Sequence, residues 1–263
     1  MQIMSKIENH QGIQNFEEIL AASDGIMINR RNLAMEMPAE KVYIAQKWMI
    51  EKANLAAKPI VIATEVLDSM IKSGKASRVE VTDMANTVLD GADCLVLDQE
   101  TADGEFVIES IQKMSSVCIE AEKALNYKRQ YGLTKKYSMN ISTAESIAQA
   151  MISTVFENKE ISLIIAIEET GKLARLLSKY KPDLSILAIT GEQHVTRHLN
   201  LIRGVIGHRV PNVGESPDPV VISINEAKNL KLTKKGAKVA ILQGIKVGTE
   251  DESNFMKIVD VLN

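Results

Sequence analysis

The segment Ser5–Asn9 places a lysine and a carboxylate, Lys6 and Glu8, two residues apart on a predicted strand near the start of the chain. Side chains at positions i and i+2 of a strand project to the same face, so both would reach one site. A cation beside an anion in one site is suited to hold a divalent metal ion. Taken alone, however, the two residues are better explained as a surface ion pair, which contributes little to stability.

Polar residues collect directly after several short apolar runs, among them Ile60–Ile62 and Leu95–Leu97. Continuous apolar runs are typical of parallel strands that are buried on both faces. The polar residues that follow such runs are Lys6, Glu8, Arg30, Asn32, Thr64, Glu65, Asp98 and Glu100. In a barrel of parallel strands the carboxyl ends carry the chemistry, so these side chains predict a site there. Ordinary polar loops are the alternative.

The first half of the chain alternates strands with helices. Strands are predicted at 3–7, 25–29, 60–63 and 94–97, and helices at 11–22, 38–57, 82–90 and 108–125. Pro38 suits the first turn of a helix, and Gly91 suits the end of one. Alternation with short connections predicts a parallel sheet with crossover helices.

The second half predicts a separate α/β domain with a mixed sheet, after a basic, tyrosine-rich connection at 127–138. A capping box at Ser142–Glu145 opens a helix with an apolar stripe. Strands are predicted at 163–167, 186–189, 205–210, 238–242 and 258–262, and helices at 172–180 and 194–202. His194 and His198 have zinc-ligand spacing, but without a third ligand an ordinary polar helix face is favoured.

Composition excludes several classes of protein. The 263 residues carry a formal net charge of −3, which argues against a general nucleic-acid-binding surface. No apolar run is long enough for a membrane span, and the first residues are too charged for a secretory signal. Two cysteines, Cys94 and Cys118, do not suggest a disulfide framework. We therefore expect a reduced, cytoplasmic compartment and neither nucleic acid nor membrane as a partner.

Several longer motifs resemble the pyruvate kinase family. They are KIENHQG (6–12), EEILAASDGIMI (17–28), MPAEKV (37–42), ATEVLDSM (63–70), VLDGADC (88–94) and ETADGEF (100–106), in the family's order. TGKLARLLSKYKP (170–182) resembles the family's C-terminal domain less closely. The resemblance implies the last four strands of a (β/α)8 TIM barrel at 1–126, a linker at 127–140 and a three-layer-like α/β domain at 141–263.

The resemblance also implies a reaction, the glycolytic transfer of a phosphoryl group from phosphoenolpyruvate to ADP, with Mg²⁺ and K⁺ as cofactors. Negative charge on the enolate and on the phosphoryl group must be neutralised in such a reaction. By similarity, Lys6 would lie beside the phosphoryl group and the enolate oxygen, and Thr64 near the carbon that receives a proton. Arg30 would support the loop that holds the substrate carboxylate. Glu8 and Asn32 would be the Mg²⁺ ligands.

Several positions depart from the family's motifs. An alanine-arginine-glycine-aspartate motif is Asn29–Asn32 here, so an amide, Asn32, replaces a metal-binding carboxylate. Arg31 replaces the glycine that admits the substrate carboxylate, and its side chain either fills the site or binds that carboxylate. Glu65 and Asp98–Gln99 add negative charge where an anionic substrate would approach. We therefore predict a weakly active or inactive chain, with a non-catalytic scaffold or regulatory subunit as the alternative.

The resemblance places the start of the chain at the fifth of eight barrel strands, so we expect the other strands to lie outside it. A four-stranded part of a barrel has two open edges. We expect a homo-oligomer, or association with a chain that supplies the missing half-barrel. In the second half, Glu168–Leu173 replaces a hydroxyl-rich loop that binds a sugar bisphosphate in some family members. Its two carboxylates predict that no such activator binds.

Overall fold

The chain folds as two compact units, Met1–Leu125 and Asn126–Asn263, in a computed structural model that describes residues 1–244 and 254–262. Each unit has a sheet of its own, with four strands in the first and five in the second. None of the described helices is long and apolar enough to cross a membrane.

The first unit is built on four parallel strands that lie side by side in chain order. They are β1 (Met4–Ile7), β2 (Gly25–Asn29), β3 (Ile60–Ala63) and β4 (Cys94–Val96). Among the described residues, β1 and β4 each pair with one strand only, so each has an outer edge without a strand partner. The parallel sheet predicted from the apolar runs is confirmed.

Helices connect the strands of this sheet, and some of them share a core with one of its faces. They are α1 (His10–Gln14), α2 (Phe16–Ala22), α3 (Arg30–Glu36), α4 (Ala39–Leu55), α5 (Arg78–Asp90), α6 (Gln99–Ala102) and α7 (Val107–Ala124), with a 3-10 helix at Asp68–Ile71. Ile7, Ile28 and Ile62 of the strands share one core with Phe16 and Met49 of the helices. Burial of such side chains is the main term that holds the strands in place.

The opposite face of the sheet is less well covered. Residues alternate between faces along a strand, and Lys6, Met27, Val61 and Cys94 lie in register on the face away from the core isoleucines. Val61 is buried, Met27 and Cys94 are half-buried, and Lys6 is exposed. A parallel sheet normally has both faces covered, so this face is suited to pack against further protein.

Helix capping explains where the observed helices differ from the predicted ones. The Asn9 side chain accepts a hydrogen bond from the N–H of Gly12 (2.8 Å) and starts α1, and a break at Asn15 separates α1 from α2. Ser77 and Glu80 form a capping box, so α5 begins earlier than predicted. The short helices α3 and α6 were not predicted, because they lack a long apolar stripe.

The second unit surrounds a mixed sheet, as predicted. Its helices are α8 (Tyr127–Tyr137), α9 (Thr143–Glu157), α10 (Lys172–Lys179), α11 (Gln193–Leu199) and α12 (Pro219–Asn229), with a 3-10 helix at Val213–Glu215. Its strands are β5 (Ile161–Ile167), β6 (Ile186–Thr190), β7 (Val205–Arg209), β8 (Lys238–Gly244) and β9 (Asn254–Asp260), in the order β7-β6-β5-β8-β9. β9 is antiparallel to β8.

Residues 127–140, predicted as a linker, begin as helix α8 and belong to the second unit. The ring of Tyr131 lies 5.4 Å from that of Phe156 and 5.9 Å from that of Tyr180, which ties α8 to α9 and α10. Aromatic contacts at these distances are favourable. The connection is therefore part of a packed domain, although its basic residues and few aliphatic residues suggest a linker.

The predicted capping box at Ser142 is only partly formed. The N–H of Glu145 donates to Ser142 Oγ (3.2 Å). The Glu145 carboxylate instead accepts hydrogen bonds from Lys179 Nζ (2.5 Å) and the Tyr180 hydroxyl (2.8 Å). Burial and the hydrogen bond to Glu145 raise the pKa of Tyr180 to about 12. Glu145 thus joins α9 to the end of α10.

Candidate active site

Three neighbouring strand ends bring the predicted site residues together. Lys6 lies in β1 and Glu8 follows it, Arg30 begins α3 directly after β2, and Thr64 follows β3. Because β1, β2 and β3 are parallel neighbours, their carboxyl ends lie at one edge of the sheet. Asn32, in the first turn of α3, joins the same group.

One carboxylate oxygen of Glu8 is the centre of the cluster. Glu8 Oε2 accepts hydrogen bonds from Lys6 Nζ (2.7 Å), Asn32 Nδ2 (2.9 Å) and Asn29 Nδ2 (3.4 Å). The hydrogen bond from Lys6, assisted by those from Asn32 and Asn29 and opposed by desolvation, lowers the pKa of the Glu8 carboxyl. Glu8 is therefore ionised at neutral pH, and Lys6 and Glu8 do share a face.

The side-chain oxygen of Asn29 contacts two more groups of the cluster, the N–H of Asn32 and the hydroxyl of Thr64. Asn29 Oδ1 accepts a hydrogen bond from the N–H of Asn32 (3.2 Å) and lies 3.1 Å from Thr64 Oγ1. Thr64 Oγ1 in turn accepts a hydrogen bond from the N–H of Arg31 (3.1 Å). The N–H groups in the first turn of a helix have no partner within it. Here two of them are bound by side chains of the cluster itself.

The loop after β3 has an unusual backbone. Thr64 and Glu65 have φ values of 69° and 53°, in the left-handed region that residues other than glycine rarely adopt. Such residues cost on the order of 1–3 kcal/mol each and persist where surrounding contacts hold them. Arg30 supplies those contacts: its Nε and Nη2 donate to the carbonyl of Thr64 (3.1 and 3.0 Å), and Nη2 also donates to that of Glu65 (2.5 Å).

Two acidic residues, Asp83 and Glu100, bind groups in and next to the loop after β3. Asp83 of α5 forms an ion pair with Nη1 of Arg30, whose side chain is 9% exposed. Glu100, which is 1% exposed, accepts hydrogen bonds from the N–H groups of Leu67 and Asp98, each at 2.8 Å. Buried polar and charged groups are stable only when their hydrogen-bonding needs are met; Arg30 is paired with Asp83, and Glu100 accepts two backbone hydrogen bonds.

The Arg31 side chain forms an ion pair with an acidic residue outside the Glu8 cluster. Its Nη2 is 2.8 Å from Asp68 Oδ2 in the 3-10 helix, and both side chains are partly exposed. That this residue fills the site or binds a substrate carboxylate stays a prediction. Its guanidinium is already paired with an anion.

The donor set around Glu8 does not fit a resident Mg²⁺ ion. Mg²⁺ prefers an octahedral set of oxygens. The groups that face Glu8 Oε2 are the ammonium of Lys6 and the amide nitrogens of Asn32 and Asn29. All three are hydrogen-bond donors, and none offers an oxygen to a metal ion. Within the described part of the chain, no group of three or more His, Cys, Asp or Glu residues is arranged to hold a metal ion.

In the second unit, the side chain of Glu168 binds the free N–H groups at the N-terminus of α10. Its Oε2 and Oε1 accept hydrogen bonds from the N–H groups of Leu173 (2.6 Å) and Ala174 (2.7 Å), and the residue is buried. Burial raises the pKa of Glu168 to about 7, although those hydrogen bonds act to lower it. Helix N-termini are common phosphate sites, and here a carboxylate of the chain takes that place.

Among the residues that the structure describes, the paired histidines of α11 belong to no group of three or more possible metal ligands. The rings of His194 and His198 lie 5.9 Å apart, and His194 Nδ1 is 3.4 Å from Glu192 Oε2. Both rings lie on a short helix whose polar side is exposed. The arrangement is consistent with an ordinary polar helix face.

Sequence reasoning gave no individual role to three residues that the structure brings to the site. Asn29 is the last residue of β2, Asp83 lies within α5 and Glu100 lies within α6. Glu100 was noted only as one of the polar residues after an apolar run, and the position of Asn29 at a strand end carried the same signal. Asp83 carried no such sequence signal, because its partner Arg30 lies 53 positions away in the sequence.

The two halves of the chain match two models of one protein family. Residues 1–111 match "Pyruvate kinase, barrel domain", and residues 145–259 match "Pyruvate kinase, alpha/beta domain". Each match falls in one of the two compact units.

Individual relatives agree with both matches. Pyruvate kinase of Eimeria tenella is 41% identical over 99% of this chain and 49% of its own length, and that of Dictyostelium discoideum is 39% identical over 99% and 52%. A crystal structure of pyruvate kinase from Cryptosporidium parvum superposes with a TM-score of 0.93 at 40% identity, over 99% of this chain and 51% of that one. The chain thus spans about half the length of these relatives. With its barrel segment followed by the α/β domain, it belongs to the pyruvate kinase family.

Proposed function

We propose that this chain supplies one wall of a pyruvate kinase active site, which transfers a phosphoryl group from phosphoenolpyruvate to ADP. In that reaction the bond between phosphorus and the enol oxygen breaks, a bond to an oxygen of ADP forms, and the enolate carbon takes up a proton. The observation that carries the proposal is the meeting of Lys6 and Glu8, Arg30 and Thr64 at the ends of three adjacent parallel strands, β1, β2 and β3. Similarity to complete pyruvate kinases supports the same reaction.

Each residue of the cluster has a role in this proposal. The Lys6 ammonium would neutralise charge on the phosphoryl group and the enolate oxygen, since electrostatic stabilisation dominates phosphoryl transfer. Thr64 would lie near the carbon that is protonated, and Arg30 would hold the Thr64 loop in shape. Glu8 and Asn32 would be the Mg²⁺ ligands, and their present hydrogen bond to each other would have to break for them to bind the ion. K⁺ and part of the nucleotide would be bound by residues outside this chain.

We further propose that the chain is weakly active or inactive by itself. The outer edges of β1 and β4 have no strand partner among the described residues, and the face that carries Lys6 is partly open. An oxyanion is well stabilised only where water is excluded. A partner that supplies the remaining barrel strands, either another chain or a further part of the same protein, would close the site. By ancestry the reaction is glycolytic, and a cytoplasmic location follows from it.

A non-catalytic scaffold or regulatory subunit is the second candidate. The observation that favours it is the closed set of hydrogen bonds among Glu8, Asn29, Asn32 and Thr64. A substrate carboxylate at this site would have to displace Asn29 Oδ1 from the N–H of Asn32 and from Thr64 Oγ1. A pseudoenzyme would keep the fold of the family and would not need a substrate to displace these hydrogen bonds.

A coupled assay for pyruvate release, with phosphoenolpyruvate, ADP, Mg²⁺ and K⁺, separates the two candidates. We expect no turnover by the purified chain, and turnover after co-expression with the amino-terminal half of the Eimeria tenella relative. Lys6→Met should then lower kcat by about a hundredfold or more, the usual cost of losing one stabilising charge. Lys47→Met is the matched control, because Lys47 also forms a half-exposed ion pair, with Asp90.

The outcomes have separate meanings. Turnover by the chain alone would overturn the proposed inactivity. A stable complex of the two halves that shows no turnover would favour the scaffold.

A further inference from the structure

We propose that Asp83 is a positioning residue for Thr64, acting through the guanidinium of Arg30. The role in catalysis rests on the proposed function, whereas the structural coupling does not. Asp83 lies on α5, outside the strand-end loops, and pairs with Arg30, whereas Lys6 pairs with Glu8. Its effect would be to keep the loop after β3 in the left-handed conformation that brings the Thr64 hydroxyl to Asn29 and Arg31.

The first step of the inference is the strain in the loop. Thr64 and Glu65 both adopt positive φ, and a β-branched residue such as threonine is rare in that region. Consecutive residues in this conformation require contacts that outweigh the strain. The carbonyl oxygens of these two residues are both bound by Arg30. The loop conformation therefore depends on where the guanidinium lies.

The second step is what orients the guanidinium. Arg30 uses Nε and Nη2 for the two carbonyls, and the remaining terminal nitrogen, Nη1, pairs with Asp83 Oδ2. The guanidinium is planar, so a contact at one end fixes the direction of the donors at the other end. Its side chain is 9% exposed, and a nearly buried cation requires an anionic partner. Asp83 is the anion that pairs with Arg30 among the described residues.

The third step connects the loop to the cluster around Glu8. Thr64 Oγ1 accepts the N–H of Arg31 at 3.1 Å and lies 3.1 Å from Asn29 Oδ1. Asn29 also donates to Glu8. A rotation of Thr64 out of its present backbone conformation would break the hydrogen bond from the N–H of Arg31. The N–H of Arg31 is therefore a local reporter of the position of Thr64.

The test is amide hydrogen exchange, followed by NMR on the whole chain, in Asp83→Ala. Alanine preserves α5, because it is the residue most favourable in a helix. We expect the Arg31 N–H to exchange about tenfold faster, the effect of losing one hydrogen bond, while the other amides of α5 keep their rates. The amide resonances of Thr64 and Glu65 should shift. Asp83→Glu should restore the Arg31 rate, because it returns the anion.

Asp90→Ala is the matched control. It removes a different ion pair of α5, between Asp90 and Lys47, and should leave the Arg31 rate unchanged. If Asp83→Ala leaves the rate unchanged, or if Asp90→Ala raises it equally, the positioning role is wrong. If Asp83→Ala does not fold, Arg30→Lys replaces it, since lysine keeps the charge without the planar donors. An unchanged Arg31 rate in Arg30→Lys would equally overturn the proposal.

The catalytic consequence is measured separately, in the assembly of the two halves. Because Thr64 would act at the carbon that is protonated, Asp83→Ala should lower kcat by about tenfold or more, while KM for phosphoenolpyruvate changes by less than about twofold. An effect on KM alone would contradict this role for Asp83. Absence of turnover in the unmodified assembly would instead overturn the proposed function and leave the exchange result standing.

Discussion

At the scale of single residues, the hydrogen bonds that the Glu8 carboxylate accepts define the site. Its Oε2 binds one ammonium and two amide groups, so the negative charge is balanced within the protein. An aspartate in place of Asn32 would bring a second carboxylate to the position from which Asn32 now donates. Two carboxylates cannot share a hydrogen bond when both are ionised, and a divalent cation would then relieve their repulsion.

We therefore predict that Asn32→Asp increases the affinity of the chain for Mn²⁺, used as a probe for Mg²⁺, by about fivefold or more. An added unit charge about 4 Å from an ion contributes at least about 1 kcal/mol, even in a medium like water. Isothermal titration calorimetry measures the change. Asn86→Asp, at an exposed position of α5, adds the same charge elsewhere and should leave the affinity unchanged. Equal affinities in all three proteins would contradict the assignment of Asn32 to the metal position.

At the scale of helices and strands, the parts of the fold that depend on local sequence could be predicted. The apolar run Ile60–Ile62 predicted β3 because buried parallel strands are apolar on both faces. Helix α12 could also have been predicted, since Asp218 caps it (3.1 Å to the N–H of Val221) and Pro219 occupies its first turn. The short α3 gives no such signal.

The site was predictable only in part, for a physical reason. Lys6, Glu8 and Thr64 follow or lie in strands, and the parallel arrangement alone brings them together. Arg30 donates hydrogen bonds to the carbonyl of Thr64, 34 positions away in the sequence. It also forms an ion pair with Asp83, 53 positions away. Such contacts depend on how α5 packs, which no local pattern encodes.

Glu168, between β5 and α10, gives a prediction for the stability of the second unit. Burial raises its pKa to about 7 from 4.5, and the nearby Arg175, Leu173 and Ala174 act to lower it. The folded state then binds a proton more tightly than the unfolded state, so this residue favours folding most below about pH 4.5 and least above about pH 7. We expect its contribution to the free energy of unfolding to fall by about 2 kcal/mol between pH 5.5 and 7.5.

Urea unfolding of Glu168→Gln at the two pH values measures this contribution. Glutamine does not titrate, so the decrease in the free energy of unfolding between the two pH values should be smaller than in the unmodified chain by about 2 kcal/mol. Glu169→Gln is the control, because Glu169 is partly exposed and should leave the decrease unchanged. An equal decrease in Glu168→Gln and the unmodified chain would show that Glu168 does not titrate in this range.

At the scale of the whole molecule, the first sheet has the features of a surface that binds further strands. Two outer edges are without strand partners in the described part of the chain, and all three residues of β4 are half-buried. Unpaired edges and a partly open apolar face promote association. The related pyruvate kinases are about twice as long as this chain.

We predict that the purified chain associates at micromolar concentration, so that light scattering gives a mass above the 29.0 kDa of one chain. Val96→Lys should reduce this association, because it places a charge on half-buried β4, where a partner strand would desolvate it. Val79→Lys, at a position of α5 that is 79% exposed, adds the same charge away from the sheet and should leave the mass unchanged. A monodisperse monomer would show that the open face needs no partner. An associated species insensitive to Val96→Lys would mean that the chains meet through another surface, and only loss of association in Val96→Lys assigns the contact to the edge at β4.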